Sequence, residues 1–171
     1  MSTTSEPVTF VVRGKPVAQG SSRAFVGKGK NGKARAFVAT EAHTDSPLGS
    51  WRTAIAQEAR EAMGIRPLLE GPLKVWLTFV FPRPASHFLP ANSRRPVREL
   101  RADAPTYLCS KPDLDKLLRA ALDAMTGVVW RDDGQVAAFG HPQKIYETAL
   151  EQQPPAMTHR PGVEVHVRPI S

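Results

Sequence analysis

The sequence predicts an α+β fold: a mixed β-sheet of about five strands with two main helices packed on one side of it. Three observations predict it. Two segments carry apolar residues at helical spacing between recognisable start and stop signals. Several short segments are rich in β-branched residues or alternate apolar with polar side chains. Two helices are too few to cover both faces of such a sheet, so they gather on one side.

Taken in order, residues 8–13 (VTFVVR) predict a β-branched strand. Asn31-Gly32 lies between two AFV runs and predicts a hairpin turn. Residues 47–63 predict the first helix, with Ser46 as cap, Pro47 in the first turn and Gly64 as terminator. Leu48, Trp51, Ile55, Ala59 and Ala62 form its buried face, which makes Trp51 a core residue. In 73–81 (LKVWLTFVF) the alternation of Leu73, Val75, Leu77, Phe79 and Phe81 gives a strand with one buried face and Trp76 on the other.

Residues 82–112 form a basic, proline-rich connection that leads into the second helix. A loop this long is functional or disordered, and it is expected to be mobile until it orders against nucleic acid. The second helix is predicted from Pro112, in its first turn, to Thr126, with Gly127 ending it. Leu114, Leu117, Leu118, Ala121, Leu122 and Met125 form its apolar stripe. Val128-Val129-Trp130 is expected to start extended structure, followed by a turn near Asp132, Asp133 and Gly134. QVAAF and VEVHV read as further strands, and 152–161 as a surface connection. There is no internal repeat, and the whole chain, 1–171, reads as one domain.

The formal net charge of +7 and a pI near 10.0 favour a polyanionic partner. The basic residues are not scattered. From Pro7 to Thr40 there are seven and no acid, which reads as a phosphate-contacting β-hairpin arm. Candidate phosphate contacts are Arg13, Lys15, Arg23, Lys28, Lys30 and Lys33 in that arm. Arg94, Arg95 and Lys111 in the long loop and Lys116 beyond it complete the set. One cysteine, Cys109, excludes an intrachain disulfide and fits a reducing compartment. No apolar run is long enough to span a membrane, and the first residues lack the pattern of a signal peptide, so a cytoplasmic location is expected.

Against this basic background stand five aspartates within 21 residues: Asp113, Asp115, Asp123, Asp132 and Asp133. Such a cluster in a basic chain is the charge arrangement of a metal-dependent nuclease, in which the basic surface holds phosphates and carboxylates hold the cation. Acids in a first helical turn also stabilise the helix by up to about 1 kcal/mol, and one alone needs no other role. Two at the helix start with two more 17 to 20 residues later exceed what capping needs. Whether 132–133 return to 113–115 in the same subunit does not follow from the spacing. Asp115, Arg119 and Asp123 share a helical face, either as an ion-pair ladder or with Arg119 facing the scissile phosphate. Carboxylate oxygens without His or Cys partners favour Mg²⁺, with Mn²⁺ as substitute, over Zn²⁺. None of the five histidines has zinc-site spacing, and His87 in the basic loop reads as solvent-exposed.

The run KPDLDKLLRAALDAMTGVVWRDDGQV resembles the RusA-type Holliday junction resolvases, whose pattern is K-P-D-x-D-N-L-x-K, a D-A-L helix and a D-D-x-Q-V turn. Weaker similarity extends over the opening strand and GKP, Ser50-Trp51-Arg52, Lys144-x-Tyr146 and GVEVHV. The resemblance implies a RusA-like homodimer and a Mg²⁺-dependent endonuclease that places paired symmetric nicks across four-way or branched DNA. It implies Asp113, Asp115 and Asp133 as essential acids and Asp132 as the adjacent acid, the four together being the metal ligands. The family's helix lysine falls at Arg119, which keeps the charge but does not donate a proton near neutral pH. Lys116 stands where the family usually has Asn and could partly substitute for that lysine, although its helical position points elsewhere. Cutting two strands of like polarity at one junction independently calls for two sites related by a two-fold axis. The competing reading is a non-catalytic branched-DNA-binding protein with an acidic helix cap; a hydrolase of free nucleotides fits the long basic segments less well.

Overall fold

The computed structural model describes residues 6–20, 23–28, 34–39, 45–90, 99–147 and 160–170, with 23–28 and 34–39 described as backbone. The strands are β1 (Val8–Arg13), β2 (Arg23–Lys28), β3 (Ala34–Ala39), β4 (Leu73–Phe81), β5 (Val136–Phe139), β6 (Gln143–Tyr146) and β7 (Gly162–Pro169). The helices are α1 (Pro47–Met63) and α2 (Leu114–Met125). A five-stranded mixed sheet runs β1-β7-β4-β5, with β6 also on β4, and β2 and β3 form a separate antiparallel hairpin.

The expected α+β architecture is therefore present. β1 and β4 flank β7 antiparallel, while β5 and β6 both lie parallel to β4. β6 was not expected as a strand. β5 and β6 are two short halves of one edge, broken at Gly140-His141-Pro142; β5 pairs with the first part of β4 and β6 with the last. Four residues apiece give too little alternation to be read from sequence.

The inner face of β4 buries Leu73, Val75, Leu77, Phe79 and Phe81 against Val8, Val12, Val163, Val165 and Val167 of the neighbouring strands and against both helices. α1 begins as expected: Ser46 Oγ accepts from Gly49 N at 3.0 Å, and Gly64 ends the helix with φ +56°. Trp51 is in the core, and Met63 joins it while Ala62 is only partly covered. α2 is rotated from the expected stripe. Its buried face is Leu117, Ala120, Ala121, Ala124 and Met125, and the small side chains let the helix approach closely. Leu114, Leu118 and Leu122 are half-covered at the core's edge.

Two expectations are corrected. Pro112 lies outside α2, whose N-cap is Asp113. Val128-Val129-Trp130 is a turn rather than a strand: the N–H groups of Val128 and Val129 both return to Met125 O, Gly127 takes φ +77°, and Val129 and Trp130 are buried.

The described flanks of the 82–112 connection are also more built than a structureless loop. Arg83 donates to Glu147 O at 2.8 Å and to Pro105 O at 2.8 Å. Leu89 N donates to Glu99 O, Arg101 N to His87 O, and Arg101 forks onto Asp103 through two contacts of 2.9 Å. His87 is half-covered and packs edge-on against Tyr146 at 4.6 Å. No helix among the described residues is long and apolar enough to cross a membrane.

Candidate active site

α2 carries the candidate residues at both of its ends. Its approach, residues 106–112, is fastened to β6. Tyr146 N donates to Thr106 O and Leu108 N to Lys144 O. The Lys144 ammonium then donates to Ser110 O and Pro112 O, each at 2.7 Å. This lysine fixes the backbone immediately before Asp113, a role no spacing in the sequence announces.

Asp113 occupies the N-cap with extended backbone but makes no side-chain capping bond. Its carboxylate instead meets the Lys116 ammonium at 3.0 Å. The Lys116 hydrogen bond and charge hold the Asp113 carboxyl below the usual carboxylate range, with Lys111 and Lys144 adding to the field. Lys116 therefore turns back to Asp113 rather than into solvent. Asp115 lies in the first turn, exposed, and with Arg119 it shares one face of the helix. Among the described residues neither makes an ion pair. The ladder Asp115–Arg119–Asp123 is not formed; Asp123 pairs with Arg52 of α1 at 3.8 Å. That leaves the Arg119 guanidinium and the Asp115 carboxylate available to a ligand.

At the other end, the turn after α2 is closed by a capping box. Asp132 accepts from Gly134 N at 2.7 Å, while Gln135 Oε1 accepts from Asp132 N at 3.2 Å and Arg131 N at 2.9 Å. Gln135 Nε2 donates to Leu69 O and Gly71 O, tying the turn to the segment before β4. Asp133 accepts from Trp130 Nε1 at 2.9 Å and from the hydroxyl of Thr126, the C-cap of α2. A solvent-lined hollow beside the turn is bounded by Leu68, Leu69, Glu70, Gly71, Arg131, Asp132 and Gln135.

Asp133 is thus held at the C-terminal end of α2 and Asp113 at its N-terminal end. Twelve helical residues separate them by about 18 Å along the axis. No group of three or more metal-capable side chains forms among the described residues of one chain. The donors themselves are all hard oxygens, which suits Mg²⁺, an ion bound through one or two carboxylates, substrate phosphates and water.

Of the candidate phosphate contacts, Arg13 and Lys15 are exposed at the end of β1, where Arg13 also touches Arg160 O at 3.4 Å. Arg23 and Lys28 are the end residues of β2, opposite Ala39 and Ala34. Lys111 is exposed just before α2. Lys30, Lys33, Arg94 and Arg95, like the Asn31-Gly32 turn and residues 152–159, lie outside the described residues. The segment after β1 reaches α2, where Gln19 N donates to Lys116 O at 3.1 Å. Cys109 is exposed, with only a 3.8 Å contact to Tyr107 O.

Comparison with known proteins gives one family. The profile described as Endodeoxyribonuclease RusA matches residues 14–168 of the 171. No curated protein matches the chain.

Proposed function

The chain belongs to the RusA endodeoxyribonuclease family, and from that membership we propose a Mg²⁺-dependent resolvase that acts as a homodimer, with each active site completed by both subunits. The family is one of endodeoxyribonucleases for Holliday junctions, so the enzyme class and the branched DNA substrate follow from it. The separation of Asp113 from Asp133 along α2 carries the rest. Acids about 18 Å apart cannot share one cation 2.0–2.1 Å from each ligand. A two-fold axis crossing α2 sets the N-terminal end of one helix against the C-terminal end of its mate, because isologous contacts exchange the two ends. The half-covered stripe Leu114, Leu118 and Leu122 runs the length of α2 and supplies apolar surface for that contact.

In this reading Asp113 and Asp115 of one subunit and Asp132 and Asp133 of the other would hold the metal. When bound, the ion lowers the pKa of water for attack on phosphorus and screens the phosphate. The chain's own groups do the remaining work. Arg119, with no carboxylate partner among the described residues, is free to meet the charge that develops on the scissile phosphate. Lys116 keeps Asp113 ionised, Lys144 fixes the approach to α2, and Trp130 with Thr126 aims Asp133. Arginine in place of lysine assigns position 119 to charge stabilisation rather than proton transfer.

The test is cleavage of a synthetic four-way junction with Mg²⁺ beside linear duplex of matching sequence, with nicks mapped on each strand. Paired symmetric nicks confined to the junction are expected. Junction binding without nicks, with Mn²⁺ also tried, would instead make the protein a non-catalytic branched-DNA binder.

A further inference from the structure

On the sheet face opposite the helices, we infer a second contact for the DNA phosphodiester backbone, built from Lys74, Arg168 and Trp76. The inference rests on the nuclease reading for the identity of the polyanion. Lys74 of β4 and Arg168 of β7 are direct register partners. Their strand neighbours Leu73, Val75 and Val167 are fully buried on the other face, so both cations stand on the opposite one. Like charges directly opposite in a strand pair are destabilising. Neither is paired with a carboxylate among the described residues. The only acid in the five strands of the sheet is Glu164, opposite Thr78, four residues and about 13 Å along β7 from Arg168.

Both cations lean on one ring instead. Lys74 Nζ is 5.0 Å and the Arg168 guanidinium carbon 5.2 Å from the Trp76 ring centroid. His166 packs edge-on against the same ring at 4.9 Å and is itself fixed by Thr9 at 2.8 Å. Trp76 is seated against Gly140, where a Cβ would fall 1.9 Å from its Nε1. The platform is therefore held in place before any ligand arrives. A strand pair selected for stability alone would place an acid opposite one of these cations. Two like charges held together on an aromatic ring are stabilised by an anion lying across them.

Around these residues the face is partly covered, with Lys74 and Trp76 half-buried and Arg168 exposed, so an extended polyanion can lie along the exposed side of the cluster. Because cations occupy the ring, the contact is to the backbone and carries no base readout. It also adjoins the candidate active site. Lys74 is three residues, about 10 Å of strand, from Gly71, whose carbonyl is bonded by Gln135 of the Asp132–Asp133 turn. A strand held at that turn can continue onto Lys74 and Arg168.

The experiment is anisotropy titration of a labelled four-way junction without divalent cation, over a range of salt, for the wild type and for Lys74→Gln/Arg168→Gln. The double variant should bind more weakly, with its log K against log salt slope shallower by about 1.8, or 0.9 per lost phosphate contact. Its melting temperature should stay within a few degrees of the wild type, because the lost cation–ring contacts and the removed repulsion are of similar size. An unchanged slope beside a junction-binding wild type overturns the inference alone. A changed oligomeric state on gel filtration overturns it too, by making the face a subunit contact. A wild type that binds no junction removes the nuclease reading and the inference with it.

Discussion

Asp113 and Asp133 stand at opposite ends of the same helix: the first is the N-cap of α2, and the second is hydrogen-bonded to Thr126, its C-cap. The sequence places them 20 residues apart in one motif, and the fold uses that stretch to hold them apart. A motif contiguous in sequence is in this way divided between the two ends of one helix.

Asp115→Asn should abolish junction cleavage, with a loss of at least about a hundredfold, as expected for removal of a metal-holding carboxylate. Junction binding should persist or tighten, because a negative charge near phosphate is gone. Nick mapping and anisotropy on the same preparation check it; full cleavage would remove Asp115 from the site.

Thr126→Val removes a hydroxyl that aims Asp133 from an exposed position. Stability should change by no more than about 1 kcal/mol. Cleavage should fall while junction affinity is kept, and Thr126→Ser should restore it. A thermal melt with single-turnover kinetics separates this positioning role from a purely structural one.

Lys116 keeps the Asp113 carboxyl below its usual range, so this group contributes stability above the unfolded value near 3.8 that is lost as pH falls through the lower folded value. Lys116→Gln should move the Asp113 titration up toward the ordinary carboxylate range. Carboxyl-carbon NMR of Asp113 measures it, and an unmoved midpoint would mean that the contact is not kept in solution.

Lys144→Met leaves two carbonyls before Asp113 without their cationic donor. A loss of about 1–3 kcal/mol is expected for charge-assisted bonds of this kind. That corresponds to a melting temperature lower by about 2–12 °C in a chain of this size. Cleavage should fall further than the stability loss explains.

Gly140→Ala drives a methyl group into Trp76. Overpacking of this kind costs about 1–3 kcal/mol. Denaturant unfolding should show it, and a neutral result would mean that the β5–β6 break yields easily.

Much of the fold was legible in the sequence, because α1, β1, β4 and β7 each carry a strong period and α1 carries both caps. β6 was not, since four residues stabilised by their pairing with β4 carry no pattern of their own. The family was legible in the KPDLD and DDGQV runs, which carry the candidate acids. The support of those acids was not: Lys144 reaches Ser110 and Pro112 across 32–34 residues, and nothing in a linear motif encodes that contact. Spacing alone allowed an Asp115–Arg119–Asp123 ion-pair ladder, and it is not formed because Asp123 pairs with Arg52 on another helix, a contact that no helical spacing encodes.

The most direct test of the shared active site is complementation between two inactive variants. Asp115→Asn and Asp133→Asn are co-expressed and co-purified, and junction cleavage is compared with each variant alone. Each alone should be inert. The mixture should nick single strands without paired cuts, from about a quarter of the wild-type number of sites, because only mixed dimers carry one intact composite site. A mixture as inert as its parents, beside an active wild type and with mixed dimers verified, would contradict the account and place each active site within one chain.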